Sequence, residues 1–172
     1  MIIKAKKSLG QNFLKDKNIL KKIADISLVD HTTELVEIGP GTGNLTDYLI
    51  KKNPKKIFLI EKDEKLSEYL KNKFFDKIKV INKDILKFFD YKIFSKNTIV
   101  IGNLPYNISS QILVKFILDN NFDYKALIFM FQKEMADRIL AKVNSKNYGR
   151  LSILSNWKLS LIHISEPTRR RT

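Results

Sequence analysis

Asn103-Leu104-Pro105-Tyr106 places an amide, a conformationally fixed carbonyl and an aromatic ring in four consecutive residues. That set suits methyl transfer to an amine on a nucleobase. The exocyclic nitrogen of adenine is a poor nucleophile because its lone pair is delocalised into the ring, so a catalyst must hold the NH₂ with acceptors that favour its pyramidal, more reactive form. The side-chain oxygen of Asn103 and the carbonyl of Leu104 are candidates for those acceptors. Pro105 has no N–H and a fixed φ, which keeps the Leu104 carbonyl in an extended, outward-facing arrangement. Tyr106 offers a π face for an unstacked base. No general base is required, since the amine sheds its proton readily once it is cationic. A strand-ending turn with a buried Tyr would carry the same four residues, so the elements around them must decide.

Upstream, Glu34-Leu35-Val36-Glu37-Ile38 runs into Gly39-Pro40-Gly41-Thr42-Gly43 and then Leu45-Thr46-Asp47-Tyr48-Leu49-Ile50. Buried strand, glycine turn and helix form the first unit of a nucleotide-binding α/β sheet. The spacing is G-x-G-x-G, not the dinucleotide pattern G-x-G-x-x-G, and Glu37 lies near the strand end. Both features favour a ligand carrying positive charge, and S-adenosylmethionine fits better than NAD. A second strand, 56–60, ends at Glu61, placed to accept both ribose hydroxyls. A third, 78–82, leads to Asp84, placed to accept from the cofactor's adenine amine while Ile85 covers the ring. A fourth, 98–102, delivers Asn103. Four strands thus end in a glycine turn, Glu, Asp and Asn-Leu-Pro-Tyr, and the carboxyl ends of parallel strands are where an open α/β sheet holds its ligand.

At this point the chain resembles the small-subunit ribosomal RNA adenine N6,N6-dimethyltransferases. The likeness rests on Lys6-Lys7-Ser8-Leu9-Gly10-Gln11-Asn12-Phe13-Leu14, Glu37-Ile38-Gly39-Pro40-Gly41-Thr42-Gly43, Gly102-Asn103-Leu104-Pro105-Tyr106-Asn107-Ile108-Ser109, Gln132-Lys133-Glu134 and Tyr148-Gly149-Arg150-Leu151-Ser152. The resemblance implies a Rossmann-like class I S-adenosylmethionine-dependent methyltransferase with a mostly parallel twisted sheet and flanking helices. It implies cofactor contacts at Asn12, Leu14, Gly39, Glu61, Asp84 and Asn103, and catalytic roles for Asn103, Leu104, Pro105 and Tyr106. The activity it implies is dimethylation of two adjacent adenosines near the 3′ end of small-subunit (16S) RNA during subunit biogenesis. A sister family, which methylates an adenine of large-subunit (23S) RNA and confers macrolide resistance, shares much of the pattern. Its members more often read Asn-Ile-Pro-Tyr and lack the glycine before Gln-Asn-Phe-Leu, so Gly10, Leu104 and Gln132-Lys133-Glu134 lean toward the small-subunit enzymes. A further alternative is a binding module, a ribosome-assembly or RNA-binding factor without catalysis. Intact Asn103, Pro105, Tyr106, Glu61 and Asp84 favour the enzyme.

The remaining sequence is consistent with that frame. Residues 1–10 carry Lys4, Lys6 and Lys7 and no apolar run, which excludes a signal peptide or anchor there and points to a cytoplasmic protein. An amphipathic helix beginning near Asp16, with Ile19, Leu20, Ile23 and Ile26 on one face, follows Gln11-Asn12-Phe13-Leu14, which could form a lid over the cofactor. The chain carries 32 Lys plus Arg against 18 Asp plus Glu, a formal charge of +14, which suits a polyanion such as RNA. Codon bias in a low-GC genome would also enrich Lys, and pairs such as Lys51-Lys52 and Lys55-Lys56 equally fit a solvated face.

There is no cysteine, and His31 and His163 lack ligand-spaced companions, so no metal is expected. At 172 residues and 44% hydrophobic, the pattern predicts one domain over 1–162, acting as a monomer on RNA within a pre-ribosomal particle, without a membrane. The later elements are a helix over 109–119, a strand over 126–131, a helix over 133–141, a loop over 144–149 and a helical stretch to Trp157 leading into a strand at 159–162. The last ten residues, 163–172, hold three of the five arginines of an otherwise Lys-preferring chain. They read as a non-family tail standing where the family continues into a further strand, a Phe-bearing turn and a small helical domain.

Overall fold

The computed structural model describes Lys6, residues 10–75 and residues 78–162. Lys4, the stretch 7–9, His163 and the arginine-rich tail lie outside the described residues. The chain divides into two compact units, one ending at Phe131 and one beginning at Gln132.

The first unit is built on five strands: β1 (Glu34–Ile38), β2 (Lys56–Glu61), β3 (Lys79–Asn82), β4 (Thr98–Asn103) and β5 (Ala126–Met130). All pair in parallel, in the order β3-β2-β1-β4-β5. Each strand expected between residues 34 and 131 is present, its ends displaced by a residue at most. Central strands of a parallel sheet are covered on both faces, which is why β1 and β4 read as unbroken apolar runs instead of alternating ones. Leu35 and Val36 are fully buried, as are Val100 and Ile101. The chain moves outward from β1 through β2 to β3, then returns to the other side of β1 with β4. The crevice between β1 and β4 is therefore the topological switch point, where such sheets bind ligands.

Strand periodicity sends alternate side chains to two separate cores. Leu35, Ile57, Leu59, Ile99 and Ile101 pack with Leu20 and Ile23 of α1 (Lys17–Ile26), Leu45 and Leu49 of α2 (Asn44–Ile50) and Leu70 and Phe74 of α3 (Glu64–Phe74). Val36, Ile38, Ile60 and Val100 face the other way, against Phe88, Ile93 and Phe94 from the β3–β4 connection and Ile112 and Phe116 of α4 (Ser109–Leu118).

α1 begins where its cap allows: Asp16 Oδ1 accepts the backbone N–H groups of Asn18 and Ile19 at 2.9 and 3.3 Å, satisfying donors that the helix leaves orphaned. Its buried face is narrower than the expected stripe, with Leu20, Ile23 and Ala24 buried but Ile19 and Ile26 only half-buried. α3 buries a stripe of Leu66, Ser67, Leu70 and Phe74, each with one Lys or Glu next to it in the chain. Near the amino end of the sheet, Lys55 and Lys56 both approach Glu34 at 3.5 Å, and Lys52 reaches Asp25 at 3.0 Å. These half-exposed pairs belong to a solvated face and contribute little stability.

In the second unit α5 (Lys133–Ile139) and α6 (Arg150–Lys158) are joined through Ser152, whose Oγ donates to the Arg138 carbonyl at 2.6 Å and accepts from the Gly149 N–H at 3.2 Å. The expected strand at 159–162 does not form. The N–H of Leu159 instead closes the last turn of α6 on the Ser155 carbonyl at 2.9 Å, and residues 159–162 then run on without regular structure. A strand needs a neighbour to satisfy its backbone, and none of the described strands pairs with this segment. Among the described residues no helix is long and apolar enough to cross a membrane.

Candidate active site

The turn after β1 carries Gly39, Gly41 and Gly43, all at positive φ (64°, 58° and 74°). Their surroundings differ. A Cβ at Gly41 would lie 2.9 Å from the Phe13 ring, whereas one at Gly39 would meet no atom within 4 Å. Gly39 thus presents bare backbone to open space, the arrangement that lets a ligand approach closely. Behind the turn, Lys73 of α3 donates to the carbonyls of Thr42 (3.1 Å) and Gly43 (3.4 Å) and pairs with Asp47 (2.7 Å). Nothing in the sequence signals that anchor, which joins residues about thirty positions apart.

Glu37, whose place near the strand end suggests a cationic ligand, lines a small hollow that it shares with Asn12, Gly39 and Asn103. Its buried carboxylate accepts from the Thr46 hydroxyl of α2 at 2.7 Å. Burial, with the nearby charges of Asp47 and Glu61, pushes its pKa up to about 7 despite that hydrogen bond.

At the end of β2, Glu61 is buried, its two oxygens accepting the N–H groups of Gly41 (3.2 Å) and Asp63 (2.9 Å). Burial raises its pKa while those N–H groups oppose the rise. The lone-pair capacity that remains can receive a ligand's hydroxyls at a carboxylate whose position is already fixed. Beyond β3, Asp84 caps a single turn of 3-10 helix, its Oδ1 accepting the Leu86 N–H at 2.9 Å. Its Oδ2 pairs with Lys62 at 2.9 Å. Burial disfavours the Asp84 carboxylate, but Lys62 and the Leu86 N–H outweigh it and hold the group below its ordinary pKa. An acceptor held in its ionised form thus stands beside the buried Ile85. Lys62 was not foreseen; its adjacency to Glu61 was the available signal.

β4 ends at Asn103, whose Nδ2 donates to the Asn12 carbonyl at 3.0 Å. This fixes the amide so that Oδ1 remains the acceptor. The Leu104 side chain is buried, anchoring the turn, while Pro105 accepts the Ile108 N–H at 3.1 Å and Tyr106 accepts the Ser109 hydroxyl at 3.3 Å as α4 begins. Tyr106 is 46% exposed, so it is not the buried Tyr of an ordinary strand-ending turn. Its ring stands free to be stacked upon.

Asn12, Gly39, Glu61, Asp84, Asn103, Leu104, Pro105 and Tyr106 line one pocket that is open to solvent. Leu14 does not reach it; it lines a smaller adjoining hollow with Asn12, Gly39 and Asn103. The stretch from Gly10 to Phe13 lies along this pocket as an arm, and the Leu14 carbonyl that follows is held by Asn44 Nδ2 at 2.7 Å. The donor set fits S-adenosylmethionine: an open glycine, a fixed carboxylate for a diol and an ionised carboxylate for an amine.

The family model for ribosomal RNA adenine dimethylase matches residues 2–170. The chain belongs to that family. Among individual relatives, it is 56% identical over 164 residues to the ribosomal RNA small subunit methyltransferase A of Pelagibacter ubique, covering 94% of this chain and 62% of that one. The chain thus spans less than two thirds of that relative's length. Among solved structures, a dimethyladenosine transferase from Plasmodium falciparum superposes with a TM-score of 0.74 at 34% identity, over 84% of this chain and 52% of that one. The 23S ribosomal RNA methyltransferase ErmE gives 0.66 at 26% identity, over 84% and 55%. Family membership agrees with the fold: a parallel sheet with the site at the carboxyl ends of its strands.

Proposed function

We propose that the chain is an S-adenosylmethionine-dependent RNA methyltransferase that dimethylates the N6 amine of two adjacent adenosines near the 3′ end of small-subunit (16S) ribosomal RNA. Bound at Gly39, Glu61 and Asp84, S-adenosylmethionine supplies an electrophilic methyl group on a cationic sulfur. Glu61 holds the ribose hydroxyls, Asp84 accepts from the adenine amine, and Ile85 covers that ring. The target adenine leaves its stack, as bases must before an enzyme can reach their atoms. Asn103 Oδ1 and the Leu104 carbonyl then hold the target N6 amine while Tyr106 stacks on its ring. Alignment of nucleophile and methyl group supplies most of the acceleration, since the chain needs to move no proton before the bond forms.

The observation that carries this reading is the Asn12–Asn103 hydrogen bond, which leaves an amide oxygen as acceptor beside an exposed aromatic ring, in the pocket that Glu61 and Asp84 share. The small-subunit target draws support from the name of the relative at 56% identity and from Leu104 and Gly10, against 26% identity to the 23S enzyme. Within this reading the chain acts in the cytoplasm as a monomer, without a metal, on RNA in an assembling small-subunit particle. Its charge of +14 supports a polyanionic partner.

Mapping labelled methyl groups on small-subunit particles, free 16S RNA and free 23S RNA tests the reading; label confined to 23S RNA overturns it. The cofactor assignment has its own measurement. Glu61→Ala removes the acceptor of two hydroxyls, each bond worth about 0.5–1.5 kcal/mol net. Calorimetry is expected to show S-adenosylmethionine binding weakened by about tenfold, and an unchanged Kd would remove Glu61 from the site.

A further inference from the structure

We infer that the hydroxyl of Tyr106, a residue placed to stack on the target base, also positions the N-terminal arm at the cofactor pocket, so that holding one substrate depends on the residue that receives the other. The inference rests on the functional reading above. Its basis is Asn12, which bonds to both ends of the catalytic tetrapeptide: its Nδ2 donates to Tyr106 Oη at 2.9 Å and its carbonyl accepts from Asn103 Nδ2 at 3.0 Å. These contacts span 94 and 91 positions of sequence, so they are tertiary fastenings and not turn geometry.

Asn12 itself is exposed, and Phe13 and Leu14 are only half-buried. Leu14 packs against the hydrophobic core beside it, so apolar contact holds the arm at Phe13 and Leu14 while Asn12 is held by its hydrogen bonds. Two residues before Asn12, Gly10 adopts φ +62° where a Cβ would come within 2.7 Å of Asn107 Oδ1. The arm therefore rides close against the same turn at a second point, one that only glycine permits. Two residues after Asn12, the Leu14 carbonyl is held by Asn44, the first residue of α2. Between these points Phe13 lies against Gly41. The arm thus ties the turn that receives the base to the turn that receives the cofactor.

Stacking requires the ring of Tyr106 and not its oxygen. Phe at this position would stack as well but would release Asn12 Nδ2. The arm would then be less ordered before the cofactor arrives, and its ordering would weaken cofactor binding.

Tyr106→Phe separates the two roles, and its exposed position keeps the fold out of the comparison. Calorimetry with S-adenosylmethionine is expected to show binding weakened threefold to tenfold, the worth of one hydrogen bond. Asn12→Ala is expected to weaken it at least as much, and the double variant no further, because both substitutions remove the same bond. Gly10→Ala, which pushes the arm off Asn107, is expected to act in the same direction. An unchanged Kd in Tyr106→Phe, or effects of Tyr106→Phe and Asn12→Ala that simply add, overturns the inference. Hydrogen exchange of the amides of Asn12, Phe13 and Leu14 in the cofactor-free proteins provides a second readout. Tyr106→Phe is expected to reduce their protection at least threefold, and equal protection overturns the arm's dependence on the hydroxyl. If the parent chain bound no S-adenosylmethionine, the functional reading would fall, while the exchange measurement would still decide the Asn12–Tyr106 linkage.

Discussion

Asn103→Ala is expected to lower the rate of methyl transfer to small-subunit RNA by about 100- to 1000-fold, the range found when one preorganised hydrogen-bonding group is removed from a polar catalytic site. The size follows from what the side chain does in the pocket. Its Nδ2 is fixed on the Asn12 carbonyl at 3.0 Å, so its Oδ1 is set before substrate arrives and needs no reorganisation as the amine becomes cationic. Alanine removes that acceptor and the bond to the arm together. Losing the arm bond alone weakens cofactor binding by about tenfold at most, so the rate should fall far more than the cofactor Kd rises. Asn103→Asp separates the two effects further, because it keeps an acceptor but can no longer donate to Asn12. The comparison requires single-turnover methylation and calorimetry on the same variants. A rate within tenfold of the parent for Asn103→Ala would mean that the amine is held elsewhere.

Much of this site was legible in the sequence because parallel α/β architecture converts order along the chain into position in space. Strands of four to six residues with apolar centres announce themselves as β1, β2, β3 and β4, and the residues at or just past the carboxyl end of each must lie at the same edge of the sheet. Glu61, Asp84 and Asn103 are found together for that reason. What the sequence could not show are the fastenings between distant segments. The bonds of Asn12 to Tyr106 and Asn103, and of Lys73 to the glycine turn, obey no period and depend on where side chains end after packing. Glu37 illustrates a different limit. Its position near a strand end says only that it is close to the site, while the pleat decides which face it enters, and it enters the one that leads to Thr46. At 159–162, alternating apolar residues imitate a strand, yet pairing is a property of two segments and cannot be read from one.

The buried position of Glu37 has a consequence for stability that can be measured without substrate. Its carboxyl group has an ordinary pKa of 4.5 and is pushed up to about 7 in the folded chain, first by burial and then by the charges of Asp47 and Glu61, with the Thr46 hydroxyl and Lys73 opposing. Between those two values the folded chain retains a proton that the unfolded chain has released. Stability is therefore expected to fall as pH rises from about 4.5 through about 7 and then to level off. A tenfold displacement of a protonation equilibrium is worth about 1.4 kcal/mol, so the Glu37 contribution amounts to about 3 kcal/mol across the window. Glu61, whose pKa burial also raises, adds a slope of the same sign, so the parent's decline is not due to Glu37 alone. Glu37→Gln retains an oxygen to accept from Thr46 and has no charge to bury. Relative to the parent it should be nearly unchanged at pH 4 and more stable by about 3 kcal/mol at pH 8, leaving the gentler slope that belongs to Glu61. Urea unfolding of both proteins at several pH values provides the measurement. Parallel stability curves for the two proteins would show that Glu37 has the same pKa folded and unfolded, and that its buried carboxylate is stabilised by more than the Thr46 hydroxyl and Lys73.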